Sequence, residues 1–180
     1  MAKYEDNRPF KERNRIYIYP VILAFIVTMF VRPITSDGIA MEPGIQDGEV
    51  IIVSKQTYTP KRGAPDFLTV VAFRDDLIDE GDKGDNTIRR VVGVPGDTIK
   101  IENGKVYRNG KALREDYAIG VTEGNVEEVL LLEDEVFVLG DNRENSIDSR
   151  DSRIGPVKMN TIRGDCWLRV WPLRSFGIVK

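Results

Sequence analysis

The chain has 180 residues, 41% of them hydrophobic and 31% charged, with a formal charge of −3. That describes one folded domain of ordinary size without the basic excess of a nucleic-acid binder. There is no histidine, which excludes Ser-His-Asp and Cys-His catalysis and every imidazole metal site. A single cysteine, Cys166, excludes an intrachain disulfide, a Cys-rich zinc site and a CxxC redox pair, so acid-base chemistry would fall to Lys, carboxylates or Tyr.

Charge and apolar residues are unevenly spread. Residues 1–35 hold six basic and three acidic groups, +3, against 20 basic and 26 acidic groups, −6, in the remainder. Ile16 to Val31 is uncharged; as a helix its 16 residues would extend about 24 Å, a little short of the roughly 30 Å hydrocarbon core. Flanking Arg and Tyr side chains can cover the difference. A cleaved signal peptide would need a small-x-small exit, and Phe30-Val31-Arg32-Pro33 is none. A buried core helix would need a polar face, which the run lacks. The pattern predicts a basic cytoplasmic tail over 1–15, a single-pass membrane anchor over 16–35 and an extracytoplasmic domain over 36–180.

That domain reads as β. Short β-branched runs bounded by Gly, Pro and Asp predict strands over 49–54, 67–73, 89–93, 98–102, 105–108, 135–139 and 166–171. Asn103-Gly104 joins two of them and Asn109-Gly110 follows the second, the dipeptide that tolerates positive φ in tight hairpins. No window after residue 35 shows a long helical period. The acidic stretch Asp75–Asp85 does not match the calcium-loop spacing and reads as a solvated connection. Residues 110–134, rich in Glu and Gly, predict a small insertion.

Three segments are more specific. Asp37-Gly-Ile-Ala-Met-Glu-Pro-Gly-Ile45 follows the apolar run; Ile88-Arg-Arg-Val-Val-Gly-Val-Pro-Gly-Asp97 lies mid-chain; Gly140-Asp-Asn-Arg-Glu-Asn-Ser-Ile-Asp-Ser-Arg150 comes later. Each is a turn-rich connection, and an ordinary polar turn stays open for all three. The last is unusual in packing Asp141, Asn142, Arg143, Ser146, Asp148, Ser149 and Arg150 into eleven positions. Such density predicts a hydrogen-bonded network in which Asp148 and Arg150 can pair.

On these motifs the sequence resembles the bacterial type I signal peptidases of Gram-positive type, from its N-terminal segment almost to Lys180. The family pattern G-x-S-M-x-P is matched at Gly38, Met41 and Pro43. The pattern K-R-V-x-G-x-P-G-D is matched at Arg90, Val91, Gly93, Pro95, Gly96 and Asp97, and G-D-N-R-x-x-S-x-D-S-R in full. The resemblance implies a mainly β fold of coiled sheets with one N-terminal transmembrane helix. It also implies a shallow apolar groove near the membrane, around Gly38, Ile39, Met41 and Pro43, where an extended pre-protein segment adds as a strand. No cofactor, metal or nucleic acid is implied.

The departures fall on the chemistry. The resemblance puts the serine nucleophile at the position of Ala40 and the lysine general base at the position of Arg89. Ala40 has no atom that attacks a carbonyl, and Arg89 keeps its proton at physiological pH. Ser36 stands four residues from Ala40, more than about 10 Å if extended. Lys55 and Lys100 fall outside the motifs, and Ser146 matches the family's accessory serine. The leading expectation is a membrane-anchored, dyad-lacking pseudopeptidase. It would act as chaperone or adaptor for an extended segment of a secreted or pilin-like protein, as similar dyad-lacking proteins do in pilus assembly. The alternative is a serine endopeptidase that removes signal peptides, seen here in an inactivated variant. A membrane-tethered β domain without a binding role also explains the fold, but not why Gly38, Met41 and Pro43 remain.

Overall fold

A computed structural model describes residues 10–74 and 87–179; the acidic stretch Asp75–Asp85 and the first nine residues lie outside the described residues. The chain opens with one α-helix, α1 (Phe10–Phe30), and passes directly into β1 (Val31–Thr35). Pro33 explains the break. It cannot donate the N–H that would continue the helix, and it disfavours helical backbone at Arg32 before it. Lys55 then closes the helix end, its N–H donating to Phe30 O at 2.7 Å and its Nζ to Thr28 O at 2.6 Å.

Within the segment expected as an anchor over 16–35, residues 31–35 pair with β2 (Val50–Ser54) instead of extending the helix. Among the described residues no helix is long and apolar enough to cross a membrane. The apolar side chains of α1 from Tyr17 to Phe30 are nonetheless exposed all round the helix.

The remaining strands follow in order: β2 (Val50–Ser54), β3 (Val70–Phe73), β4 (Thr87–Gly93), β5 (Thr98–Glu102), β6 (Lys105–Arg108) and β7 (Lys111–Ala112). After them come β8 (Val126–Leu130), β9 (Glu135–Leu139), β10 (Val157–Lys158), β11 (Ile162–Trp171) and β12 (Gly177–Ile178). An eight-stranded sheet has the order β1-β2-β11-β3-β4-β9-β10, with β12 paired to β11, and a four-stranded sheet has the order β7-β6-β5-β8. All ladders are antiparallel. The mainly β reading holds, and Pro33 sits in the edge strand β1, where its missing donor costs no ladder bond.

The segment 110–134 supplies β7 and β8 to the small sheet, which begins earlier, at Thr98. Its central hairpin turns at Asn103 (φ 52°) and Gly104 (φ 75°), the positive-φ pair that the Asn-Gly signal predicts.

Alternation along the strands sorts the core into three groups. Val70 and Ala72 of β3 pack with Ile34, Met41, Ile45, Ile51 and Val53, whereas Val71 and Phe73 pack on the other face with Val91, Val136 and Val138. Phe137 and Leu139 of β9 join Val92, Ile99, Ile101 and Leu131 between the two sheets. Central strands buried on both faces explain why 70–73 and 135–139 read as continuous apolar runs. Met41 and Ile45 anchor the 36–49 loop into the first of these groups, which seats that loop on the sheet.

The long strand β11 pairs with β3 through Ile162, Gly164 and Asp165 and with β2 from Cys166 onward, with a register shift at Gly164. Gly164 has φ +146°, and a Cβ there would lie 1.5 Å from Ser54 O, so the changeover needs a residue without a side chain. Gly164→Ala should lower the free energy of unfolding by about 3 kcal/mol or more, read as a shifted denaturation midpoint. A midpoint equal to that of the unaltered chain would contradict this role.

Candidate functional site

The three motif segments meet at the loop after β9. Arg89 and Arg90 are successive residues of β4 and project to opposite faces. Both are buried, which is uncommon for arginine and calls for fixed partners. Arg90 forms a two-point ion pair with Asp141, Nε to Oδ1 at 2.8 Å and Nη2 to Oδ2 at 2.6 Å, with side-chain exposures of 5% and 1%. Its Nη1 donates to Leu68 O, and its guanidinium lies 4.5 Å from the Tyr117 ring centre. Arg89 turns to the same loop from the other face, donating from Nε and Nη2 to Ile147 O at 3.1 and 2.8 Å and from Nη1 to Ile88 O.

Asp141 leads directly to Ala40. Asn142 N donates to Ala40 O at 2.9 Å and Asn142 Nδ2 to Ile39 O at 3.2 Å, so the third segment holds the first by its backbone. Behind this contact stands Gly140. A Cβ there would lie 2.2 Å from Ser146 Oγ and 2.7 Å from Ala40 O, so the glycine brings Ser146 and the Ala40 carbonyl to one point. Gly38 and Pro43 lie exposed on the loop, Ile39 is 44% exposed, and Met41 is buried beneath them.

The dense third segment is the network its composition predicts. Asp148, fully buried, accepts from Gly140 N, Ser146 Oγ at 2.8 Å and Arg150 Nε at 2.8 Å. Arg150 Nη2 also reaches Arg143 O at 2.7 Å and Ser146 O at 3.1 Å, and Ser149 Oγ accepts from Val138 N. Asp97, from the second segment, serves the small sheet: it accepts from Val94 N, Arg108 Nε at 2.6 Å and Asn109 Nδ2.

The side chains weighed as substitutes lie elsewhere. Ser36 is buried and its N–H donates to Glu49 O, Lys55 Nζ closes the end of α1, and Lys100 pairs with Glu102 on β5. A cavity of about 380 Å³ between Tyr58, Pro60, Asp134 and Met159 includes none of the motif residues in its lining. Among the described residues there is no cluster of three or more Cys, Asp or Glu able to hold a metal ion.

Sequence reasoning passed over Glu115, Tyr117 and Thr122, which support the site from the 110–134 segment. Arg143, 1% exposed, donates to both carboxylate oxygens of Glu115, to Thr122 Oγ1 at 2.8 Å and to Gly140 O at 3.0 Å. No local pattern marks these residues. The only available signal was the buried cation that Arg143 would become, which requires an acid from somewhere.

The sequence model of the family described as "Signal peptidase, peptidase S26" matches residues 11–171. A probable signal peptidase I-1 of Synechocystis sp. is 32% identical over 179 residues, covering 93% of this chain and 85% of that protein. Signal peptidase I of Bacillus licheniformis is 31% identical, covering 88% and 87%. Signal peptidase IB of Staphylococcus aureus is 33% identical, covering 86% of each. A crystal structure of a signal peptidase I from Enterococcus faecalis is 28% identical, with a TM-score of 0.44, and covers 57% of this chain and 96% of that one.

Asp141→Asn removes the carboxylate from the buried two-point pair with Arg90 and should cost about 3–5 kcal/mol of stability, whereas Asp151→Asn at the exposed Asp151–Arg153 pair should leave the denaturation midpoint nearly unchanged. Equal effects from the two would contradict the burial argument.

Burial works to raise the Asp97 carboxyl, but donors from Arg108, Val94 N–H and Asn109 outweigh it and hold the group below its ordinary value of 3.8. A group depressed in the folded protein contributes stability above its unfolded pKa and loses it as pH falls through the folded one. The stability difference between the unaltered chain and Asp97→Asn should therefore be constant near neutral pH and shrink below pH 3.8. A difference that widens with acid would reverse the sign of the contribution.

Proposed function

The chain belongs to the signal peptidase family, peptidase S26, and from that premise we propose that it binds extended segments of secreted proteins along the Gly38–Pro43 loop without cutting them. The observation that carries this reading is Ala40. Its carbonyl is held by Asn142 and lies close to Gly140, yet its side chain is a methyl group. Peptide cleavage by a serine enzyme needs a hydroxyl at the attacked carbonyl and a neighbouring base to take its proton. Ala40 supplies no hydroxyl, and Arg89, at the position of the base, is a permanent cation bonded to Ile147 O.

Binding needs neither group. An extended segment adds to a protein by main-chain hydrogen bonds, with alternate side chains seated on apolar surface. Ile39 offers exposed apolar surface on this loop, and Ile147, one residue after Ser146, is exposed as well. The client is a secreted or pilin-like precursor, and the role is that of a chaperone or adaptor. Attachment to the membrane belongs to the same reading. The exposed apolar side chains of α1 need a non-aqueous cover, and the basic residues before Ile16 favour the cytoplasmic side. The domain from β1 onward then stands outside the cell membrane.

A second reading, an inactivated variant of a signal-peptide-removing serine endopeptidase, is favoured by one observation. Ser146 still donates to Asp148 beside Gly140, so the surroundings of a Ser-Lys dyad persist although the dyad does not. Incubation with a radiolabelled pre-protein tests both. The unaltered chain, Ala40→Ser and Arg89→Lys should each bind the precursor and leave it intact, while the double substitution should release the mature protein. Cleavage by the unaltered chain overturns the non-cutting reading. Absence of binding in every variant overturns the groove itself.

A further inference from the structure

No motif marks residues 113–122, yet their main chain lies alongside the loop that holds Ala40. Ile119 N donates to Asp141 O at 2.8 Å and Ile119 O accepts from Arg143 N at 2.9 Å, a parallel bridge that brackets Asn142. Asn142 N in turn donates to Ala40 O. Two side chains of the strap reinforce this order. Glu115 receives both Nη groups of Arg143, whose Nε donates to Gly140 O. Tyr117 stacks on the Arg90 guanidinium, which holds Asp141 at two points. Tyr117 Oη also donates to Glu115 Oε1 at 3.0 Å, so the two arms are joined at their origin.

Arg90 and Arg143 are both buried, and Asp141 and Glu115 neutralise them in bidentate geometry. Asp141 comes from the motif loop itself, but Glu115 reaches Arg143 from 28 residues away. Without Glu115, the donor that fixes Gly140 O would be a buried cation lacking its bidentate anion, and it would turn toward water or toward Asp148. Without the Tyr117 ring, Arg90 would lose the face that confines its plane. Either change loosens Gly140–Asn142, the stretch that sets where Ala40 and Ser146 stand.

We infer that Glu115 and Tyr117 are positioning residues, which hold Gly140–Asn142 against Ala40 by fixing Arg143 and Arg90. The inference rests on the binding reading above only for its consequence to the client; the positioning itself is a property of the chain alone. It assigns the segment 113–122 a task in the groove that neither its composition nor the family motifs indicate.

Amide hydrogen exchange on the full chain in detergent micelles tests this with Glu115→Gln, Tyr117→Leu and Tyr117→Phe. Tyr117→Leu and Glu115→Gln should speed exchange at Asn142 and Arg143 by about tenfold or more, as for loss of a partner at a charged hydrogen bond, and leave β3 and β4 unchanged. Tyr117→Phe keeps the ring over Arg90 and loses only the hydroxyl bond to Glu115, so its exchange should stay closer to that of the unaltered chain than to that of Tyr117→Leu. Unchanged exchange at Asn142, equal acceleration throughout β3 and β4, or Tyr117→Phe behaving as Tyr117→Leu each overturns the inference. If Glu115→Gln fails to fold, the two Tyr117 variants still decide it.

A titration with a synthetic secretory signal segment gives the second readout: its affinity should fall about tenfold in Tyr117→Leu and recover in Tyr117→Phe, as expected where groove geometry limits binding. Full affinity in Tyr117→Leu overturns the consequence for the client. A segment that the unaltered chain does not bind at all refutes the binding reading, while exchange at Asn142 still judges the positioning.

Discussion

Arg90 and Asp141 meet inside the protein as an ion pair withdrawn from water on both sides, and the arrangement of the site depends on that meeting. Burying two charges costs several kcal/mol per ion after relaxation, repaid only when the geometry satisfies both groups. Here the guanidinium gives two bonds to the carboxylate, one to Leu68 O and its face to Tyr117. Such a pair contributes little net stability, but it punishes misplacement. It ties a central strand of the large sheet to the loop after β9 at one register, and the neighbours of both residues inherit their positions. Asn142 next to Asp141 grips Ala40 O, and Arg89 next to Arg90 grips Ile147 O.

The site is therefore built by polar bonds to main-chain atoms more than by packing. Asp148 collects Gly140 N, Ser146 Oγ and Arg150, while Arg150 and Arg143 return bonds to carbonyls of the same loop. In a low-dielectric setting such a network is rigid when complete and costly when one member is missing. Around Ala40 the loop is fixed by bonds to its main chain, while the side chain at that position is a methyl group.

Much of this was legible in the sequence where the cause is local. Strands 98–102, 105–108 and 135–139 have the bounds read from their apolar patterns, and the Asn103-Gly104 turn adopts the backbone its residues favour. The crowding of acids, amides and arginines in 140–150 announced a network because those groups can satisfy only one another there. What escaped the reading is long-range or depends on a single residue. Pro33 ends the helix and commits 31–35 to β1, although the apolar run continues to Val31. The small sheet draws 98–108 and 111–130 together across a boundary that composition places at 110. Glu115 and Tyr117 find their arginines through the fold alone, and no periodicity records a partner 28 residues away.

The proposition that matters most is that an extended precursor segment lies on the Gly38–Pro43 loop and leaves it uncut. A photoreactive side chain in place of Ile39, in the full chain embedded in membranes, reports that position during secretion of a labelled precursor. Covalent capture of the intact precursor from position 39, and none from a photoreactive group at the exposed Lys111 of the small sheet, is the expected result. Capture of only the mature, processed protein, or equal capture from both positions, would contradict it.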